Sequence, residues 1–138
     1  MSYQDYRDLK VWQEAMNLVV SCYRLTETFP KHELFGLISQ LQRAAVSIPA
    51  NIAEGQGRNY DGEFLKHLAI ALGSLAELET HLQIAHRLGY IEEKQQNQAI
   101  EQTRQISRMI YGLRKSIQAK IANSRKPDAE NALLKTEH

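Results

Sequence analysis

Gln40-Leu-Gln-Arg-Ala-Ala-Val-Ser-Ile-Pro-Ala-Asn-Ile-Ala-Glu-Gly55 is a helical segment whose polar side chains lie along one line. At about 100° per residue, these polar positions fall within roughly 80° of one another. We call this line the polar seam; its members are Gln40, Arg43, Ser47, Asn51 and Glu54, and Arg58 continues it if the helix runs on. Apolar positions flank the seam on both sides, so the helix is expected to have a neighbour on each side.

The two apolar flanks of the seam differ in size. The larger stripe consists of Leu34, Leu37, Ile38, Leu41, Ala45, Ile48 and Ile52. The second stripe is thinner and consists of Phe35, Val46, Ala50 and Ala53. One short domain ordinarily covers one apolar face of a helix, so the second stripe predicts contact with another copy of the chain. The seam and the second stripe together form the predicted oligomer interface.

The polar groups of the seam need partners if they are buried. We expect them to hydrogen-bond across a helix interface, while an axial channel and a ligand site are the alternatives. Arg43 and Glu54 lie about 16 Å apart along one helix, too far to pair with each other. Each is therefore expected to find a partner on another helix or subunit, with Glu77 or Glu79 as the candidate for Arg43.

Composition indicates one globular domain without a dominant charge. The chain has 138 residues, 43% of them apolar, and a net charge of +1, which gives no global argument for nucleic acid or membrane. The single cysteine, Cys22, excludes an internal disulfide and is expected to be a buried, inert thiol. The N-terminal residues are charged and no apolar run is long enough to span a bilayer, so a cytoplasmic location is expected.

Helical periodicity occurs in four segments, at about 8–27, 32–55, 61–88 and 92–122. Pro49 is expected to kink or split the second helix, and Asp61 is expected to cap the third. Short connections favour antiparallel neighbours, so residues 1–122 are predicted to form an all-α, antiparallel up-and-down four-helix bundle. Residues 123–138 are predicted to be a flexible tail.

Four motifs resemble one protein family. They are Asp8-Leu-Lys-Val-Trp-Gln-Glu-Ala15, Phe29-Pro-Lys31 with Glu33 and Gly36-Leu37, the segment from Gln40 to Gly55, and Ala71-Leu-Gly-Ser-Leu75 with Glu77-Leu-Glu79. From Tyr6 to Ile117 the chain resembles the four-helix-bundle proteins encoded by intervening sequences in bacterial 23S ribosomal RNA genes. It is also similar to the accessory variability protein of diversity-generating retroelements.

The resemblance implies a homo-oligomer, commonly a pentamer, with the second helices near the central axis. It implies no enzyme, because the family has no established catalytic activity. For the retroelement relatives it implies a basic surface that binds nucleic acid and a reverse-transcriptase partner. The near-neutral charge of this chain departs from that pattern.

A basic run follows in the fourth helix, because residues 102–126 include seven cations and no acid. Arg104, Arg108 and Lys115 share a helical face with Tyr111 between them, which is a pattern suited to phosphates. The alternative is a solvated face whose cations favour a helix C-terminus. The predicted nucleic-acid site, which we call the basic strip, consists of Arg104, Arg108, Tyr111, Arg114, Lys115 and Lys120.

Signals for catalysis are weak. The pairs Glu63/His67 and Glu77/His81 share helical faces, but metal-binding bundles use Glu-x-x-His, so surface ion pairs are expected. Gly55-Gln-Gly57 lacks the strand and lysine of a phosphate-binding loop. No nucleophile stands with a base, and we therefore predict no enzyme, no cofactor and no metal site.

Gly73 inside the third helix is costly unless another helix approaches closely there, either within the subunit or between subunits.

Taken together, the chain is predicted to be a non-enzymatic scaffold that assembles into a ring. The family resemblance implies five copies. It is expected to bind RNA, DNA or a nucleic-acid-processing partner through the basic strip. The alternative is an assembly module that binds only protein partners.

Overall fold

The computed structural model describes residues 5–136, with side chains described through residue 125. Its four α-helices are α1 (Lys10–Thr26), α2 (Leu37–Gly57), α3 (Asp61–Arg87) and α4 (Glu93–Thr136). Short 3₁₀ helices at Tyr6–Asp8 and Lys31–Glu33 precede α1 and α2. The described residues include no β-strand, which confirms the predicted all-α class.

The four helices pack in a closed order, with each contacting the next and α4 contacting α1. Side-chain contacts show that α3 and α4 are antiparallel, because Thr103 bonds to Glu79 near one end while Lys120 pairs with Asp61 near the other. The C-terminal half of α1 likewise lies against the N-terminal part of α4. The prediction of an all-α protein with four helices packed against one another is confirmed, while the up-and-down order of the whole bundle and a ring of copies stay predictions.

Each helix supplies the apolar face that its sequence period indicates. In α2 the larger predicted stripe is the core face, since Ile38, Leu41, Ala45, Ile48 and Ile52 are buried. Leu34 departs from it, because it precedes α2 and is 54% exposed. The other helices add their buried positions: Val11, Ala15, Leu18 and Cys22 from α1; Leu68, Ala71, Leu75, Leu78, Leu82 and Ala85 from α3; and Ala99, Ile106, Ile110 and Ile117 from α4.

The predicted split of α2 at Pro49 and the predicted cap of α3 at Asp61 are wrong. Pro49 is buried inside α2, which does not split there and runs on to Gly57, because proline removes one backbone donor while neighbouring turns hold. Asp61 is not the N-cap of α3: Tyr60 takes that position, with no capping bond from its side chain. Asp61 is the first helical residue, where a carboxylate is favoured by the helix dipole, and it pairs with Lys120 at 3.5 Å.

A glycine follows the end of α3, whereas α4 continues to Thr136. The chain leaves α3 through Gly89, whose φ of 79° is accessible to glycine at little cost, and the Gly89 N–H donates to the carbonyl of His86. At the other end of the chain α4 continues to Thr136, so the backbone at 123–136 is helical. The predicted boundary at residue 122 stays a prediction, and residues 1–4 and 137–138 of the predicted domain and tail lie outside the described residues.

Glu33 joins the start of α2 to the loop after α3. Its carboxylate accepts a bond from the backbone N–H of Leu37 at 3.1 Å and one from the hydroxyl of Tyr90 at 2.8 Å. These two bonds, the first above all, lower the pKa of Glu33. The centre of the Tyr90 ring also lies 5.4 Å from that of Phe29. Tyr90 therefore makes both an apolar contact and a polar bond to the segment before α2.

Helices α2 and α3 approach each other closely at Gly55. A Cβ atom at this position would lie 2.7 Å from the Cβ of His67 and 3.0 Å from the ring of Phe64. A Cβ at Gly73, in contrast, would meet nothing within 4 Å. The predicted close approach at Gly73 is therefore wrong within the subunit, while its version between subunits stays a prediction.

Substituting alanine at two glycines tests this packing. Gly55→Ala is expected to lower the free energy of unfolding by about 1–3 kcal/mol, because a methyl group does not fit between α2 and α3. The matched control is Gly112→Ala on α4, where a Cβ meets nothing within 4 Å. It is expected to raise stability by up to about 1 kcal/mol through helix propensity. Urea unfolding followed by circular dichroism measures both, and a Gly55→Ala protein as stable as the parent would contradict the close contact.

Candidate interfaces on α2 and α4

The polar seam of α2 divides between the interior of the subunit and its surface. Ser47 and Asn51 are partly buried against α3. Gln40, Arg43 and Glu54 are exposed. The predicted seam is thus real as a line of residues, but its central part is used inside the chain.

The buried part of the seam is a hydrogen-bond network between α2 and α3. The hydroxyl of Ser47 lies 2.8 Å from that of Ser74, and the amide nitrogen of Asn51 donates to the backbone carbonyl of Ser47 at 2.8 Å and to its hydroxyl at 3.0 Å. The amide oxygen of Asn51 is then free to accept from Nδ1 of His67 at 3.0 Å. With the amide oriented in this way, Nδ1 of the His67 ring carries a proton and donates it to Asn51.

The two histidines of the predicted surface ion pairs are buried. His67 and His81 are each 8% exposed. Their Nε2 atoms lie 4.0 Å from Glu63 and 3.4 Å from Glu77, so the predicted pairing at four-residue spacing is present. The predicted exposure is wrong for both rings: His67 lies against Asn51 of α2, while the carboxylates of Glu63 and Glu77 stay about half exposed.

The two charged members of the seam do not pair as predicted. Glu54 pairs with Arg58 at 2.8 Å, and this bond is the main cause of the lowered pKa of Glu54, with His67 adding to it. Its partner is one turn along the chain, so the prediction of a partner on another helix is wrong for Glu54. Arg43 has no ion pair within residues 5–125. The carboxylate of Glu79, one candidate for it, instead accepts a bond from Thr103.

The second apolar stripe lies on the outer surface of the subunit. Phe35 is 93% exposed and Val46 is 42% exposed. Ala50 is exposed as well, and Ala53 is partly buried. Beside the stripe, a groove between α1 and α2 is lined by Tyr23, Leu34, Phe35, Ser39, Gln42, Arg43, Val46 and Ser47. The contact with a second copy stays a prediction.

The basic strip of α4 is narrower than predicted. Arg104, Arg108 and Lys115 are exposed, and Tyr111 among them is 60% exposed. Their spacings of four, three and four residues keep them within about 60° on the helix. We call these four residues the basic face.

Two predicted members do not belong to the basic face. Arg114 is partly buried, and its Nε has no hydrogen-bond partner in the described part of the chain. Lys120 points to the α3 side, where it pairs with Asp61, and it lies about 160° around the helix from Arg104. Helical spacing in the sequence already separates Lys120 from the others, whereas the partial burial of Arg114 depends on which side of α4 meets its neighbours.

The charges of the basic face are largely available to a ligand. Arg108 pairs with Glu101 at 3.2 Å, but both side chains are mostly exposed, so this pair contributes little energy and can exchange. Arg104 and Lys115 make no ion pair within residues 5–125. The face therefore presents Arg104 and Lys115 to solvent without an ion pair in the described residues, while Glu101 partly neutralises Arg108.

The single cysteine of the chain lies in the core. Cys22 is buried as predicted, and desolvation raises its pKa to about 12. Among the described residues no three His, Cys, Asp or Glu side chains are grouped so that they could hold a metal ion. Within the same residues no helix is long and apolar enough to cross a membrane.

The sequence analysis missed the α3 side of the buried network. His67, Ser74 and His81 recur every seven residues, which is about two helical turns, and all three are buried. This second polar line faces the seam of α2. The seven-residue spacing was the signal that could have revealed it.

These features define a small all-α protein in which a four-helix bundle carries an exposed apolar stripe and a separate basic face. Residues 7–112 match the family described as the 23S rRNA-intervening sequence protein. The chain belongs to this family. No curated protein matches the chain.

A solved structure supports the same fold. It is the 1.70 Å crystal structure of a protein of unknown function from the S23 ribosomal protein family of Bacteroides thetaiotaomicron. The two proteins superpose with a TM-score of 0.68 at 24% sequence identity, over 76% of this chain and 98% of the other. At this identity the likeness shows the shared fold alone.

Removing Asn51 tests whether the seam works inside the subunit. Asn51→Ala is expected to lower the free energy of unfolding by about 1–3 kcal/mol, because His67 and Ser47 lose their buried partner. Arg43→Ala is the matched control, since this exposed member of the seam has no ion pair among the described residues; its change is expected within about 0.5 kcal/mol. Urea unfolding and native mass are measured together. A subunit of unchanged stability whose assembly is lost would show that Asn51 acts between subunits instead.

Proposed function

We propose that this protein is a non-enzymatic, self-assembling helical scaffold of the cytoplasm that holds nucleic acid on the basic face of α4. In this proposal each subunit contributes one weak phosphate contact. Assembly brings several such contacts together, and their combined affinity rises through effective concentration.

The observation that carries the proposal is the exposure of Arg104, Arg108 and Lys115 on one face of a helix segment without acids. Three cations on one side of a helix follow a phosphate backbone, and neutralising phosphates releases counterions. The near-zero net charge of the chain makes this local arrangement, and not the overall field, the source of attraction. The exposed Tyr111 adds an aromatic surface to it.

The apolar stripe of α2 supports the assembly. Phe35 is 93% exposed, which is unfavourable in water. Covering its side chain with a second copy would lower the free energy. The stripe lies on the opposite flank of the seam from the core, so a neighbour can reach it without disturbing the bundle. We propose a closed ring of five copies, a number taken from the family resemblance, in which the stripe of one subunit meets a different surface of the next.

The proposal includes no catalysis. His67 contacts an amide and a carboxylate, and neither is a nucleophile that it could activate. The buried thiol of Cys22 has a raised pKa, which disfavours the reactive thiolate.

A second candidate function is an assembly that binds only proteins. The groove between α1 and α2 favours it, because Tyr23 and Leu34 expose apolar surface beside Phe35. Such a partner would bind with little dependence on salt, whereas nucleic acid would dissociate steeply as salt rises.

Charge removal on α4 tests the nucleic-acid contact. The double variant Arg104→Gln/Lys115→Gln is expected to lose most binding to a short structured RNA. The slope of log affinity against log salt is negative, and its magnitude should decrease by about 1.5 per contacting subunit. Lys120→Gln is the matched control: it removes a cation from the same helix, but one that pairs with Asp61 away from the basic face. Equal losses in both proteins would indicate general charge attraction and reject the basic face as the site.

Charge insertion on α2 tests the assembly. Phe35→Glu and Ala50→Glu are each expected to give monomers that remain helical, because both positions are exposed in the subunit and a buried carboxylate disfavours a subunit interface. Native mass and circular dichroism are the measurements. Tyr60→Glu is the control at an exposed aromatic residue outside the stripe, and it should leave the mass unchanged. An intact oligomer in both α2 variants would show that the stripe is not the interface.

A further inference from the structure

Tyr111 is an exposed aromatic residue with no structural role in the subunit. It is 60% exposed and does not belong to the hydrophobic core or to the side chains packed against it. Leu113 and Met109, its neighbours on α4, pack against the core, so the helix does not need an aromatic residue at position 111 for stability. An exposed aromatic ring among cations is a surface on which a planar ligand can stack.

The cations lie on both sides of this ring along the helix axis. Arg108 is about 4.5 Å from Tyr111 in helical rise, and Lys115 is about 6 Å from it in the other direction. A base stacked on the tyrosine would therefore have one neighbouring phosphate near Arg108 and the other near Lys115. Arg104 extends the same line by one further turn.

Gly112 leaves open space beside the two cations that lie on either side of the ring. It lies four residues after Arg108 and three before Lys115, so it occupies the surface between these two cations. A Cβ at this position would meet nothing within 4 Å, and packing therefore gives no reason for glycine in the middle of α4. Glycine here costs helix stability relative to alanine. The missing side chain leaves the surface beside Arg108 and Lys115 open, about 100° around the helix from Tyr111.

We propose that Arg108, Tyr111, Gly112 and Lys115 form a site for one unpaired nucleobase and its two flanking phosphates. The inference rests on the proposed nucleic-acid contact of α4 and makes it more specific: the ligand is single-stranded RNA or DNA. In a duplex the faces of the bases are covered by their neighbours, so only the phosphates can meet the cations. In a single strand a base can also stack on Tyr111.

The experiment compares strands of one sequence. The probes are a single-stranded RNA of about 12 nucleotides, the DNA of the same sequence, and the duplex of each with its complement, at low salt. The full chain is expected to bind the single strands more tightly than the duplexes. Tyr111→Ala should weaken single-strand binding by about 5- to 150-fold and leave duplex binding within about two-fold.

Two further variants separate stacking from general apolar contact. Tyr111→Phe retains the aromatic face and is expected to bind single strands as the parent does. Tyr111→Leu retains apolar volume without a π-face and should lose affinity as Tyr111→Ala does. Since position 111 is exposed, all three variants are expected to keep the parent's circular dichroism spectrum. Tighter binding of RNA than DNA would assign the ligand to RNA through its 2′-hydroxyl groups, and equal binding would show that the site accepts both.

The failures are distinguishable. If the parent binds single strands and duplexes equally and Tyr111→Ala changes neither, the single-base site is overturned while the phosphate contact stands. A Tyr111→Leu protein that binds as well as Tyr111→Phe would likewise overturn stacking. If the parent binds none of the four probes, the proposed function itself is wrong.

Discussion

The contact between α2 and α3 is the constraint on which the rest of this structure depends. Two lines of polar residues meet there, and their buried polar groups need partners in the other line or in their own helix, which Nδ1 of His81 lacks in the described part of the chain. Asn51 satisfies both requirements, because it bonds to Ser47 on its own helix and to His67 on the next. Gly55 lets the helices approach closely enough for these bonds. The contact thus fixes the register of α2 against α3.

Fixing α2 in this way determines which of its surfaces remain for a partner. The larger apolar stripe turns into the core and the seam turns toward α3, so the stripe that includes Phe35 and Val46 faces outward. The exposed charges at the two ends of the seam accompany it: Arg43 on one turn and the Glu54–Arg58 pair on another. An assembly through α2 would therefore combine an apolar centre with a charged rim, which is the usual composition of protein interfaces.

A similar division applies to α4. One side of the helix packs through Ile106, Ile110 and Ile117, and Lys120 ties its later part to the start of α3. The remaining side carries the basic face. Its cations are exposed because residues on the opposite side of α4 supply the packing, so the helix can offer charge to a ligand without loss of core. Oligomer contacts on α2 and ligand contacts on α4 can then coexist on one subunit.

The periodicity of apolar residues was sufficient to predict four helices, their order and most of the core, because burial in a bundle follows the helical repeat. Local signals were less reliable: Pro49 did not split α2, since one missing hydrogen bond does not outweigh burial on that helix. Spacing also identified the seam and the cations of α4 as lines of residues. It could not decide which parts of these lines lie inside the subunit.

That decision belongs to the tertiary structure, because burial depends on the side of each helix that meets a neighbour. Packing alone directed Ser47 and Asn51 inward, made Arg114 partly buried and covered the rings of His67 and His81. By itself the sequence determined the helices, the apolar faces and the chemistry available along them. Only the packed bundle decided which polar groups satisfy one another and which remain at the surface, because hydrogen-bond partners from different helices are distant in sequence and close only after folding.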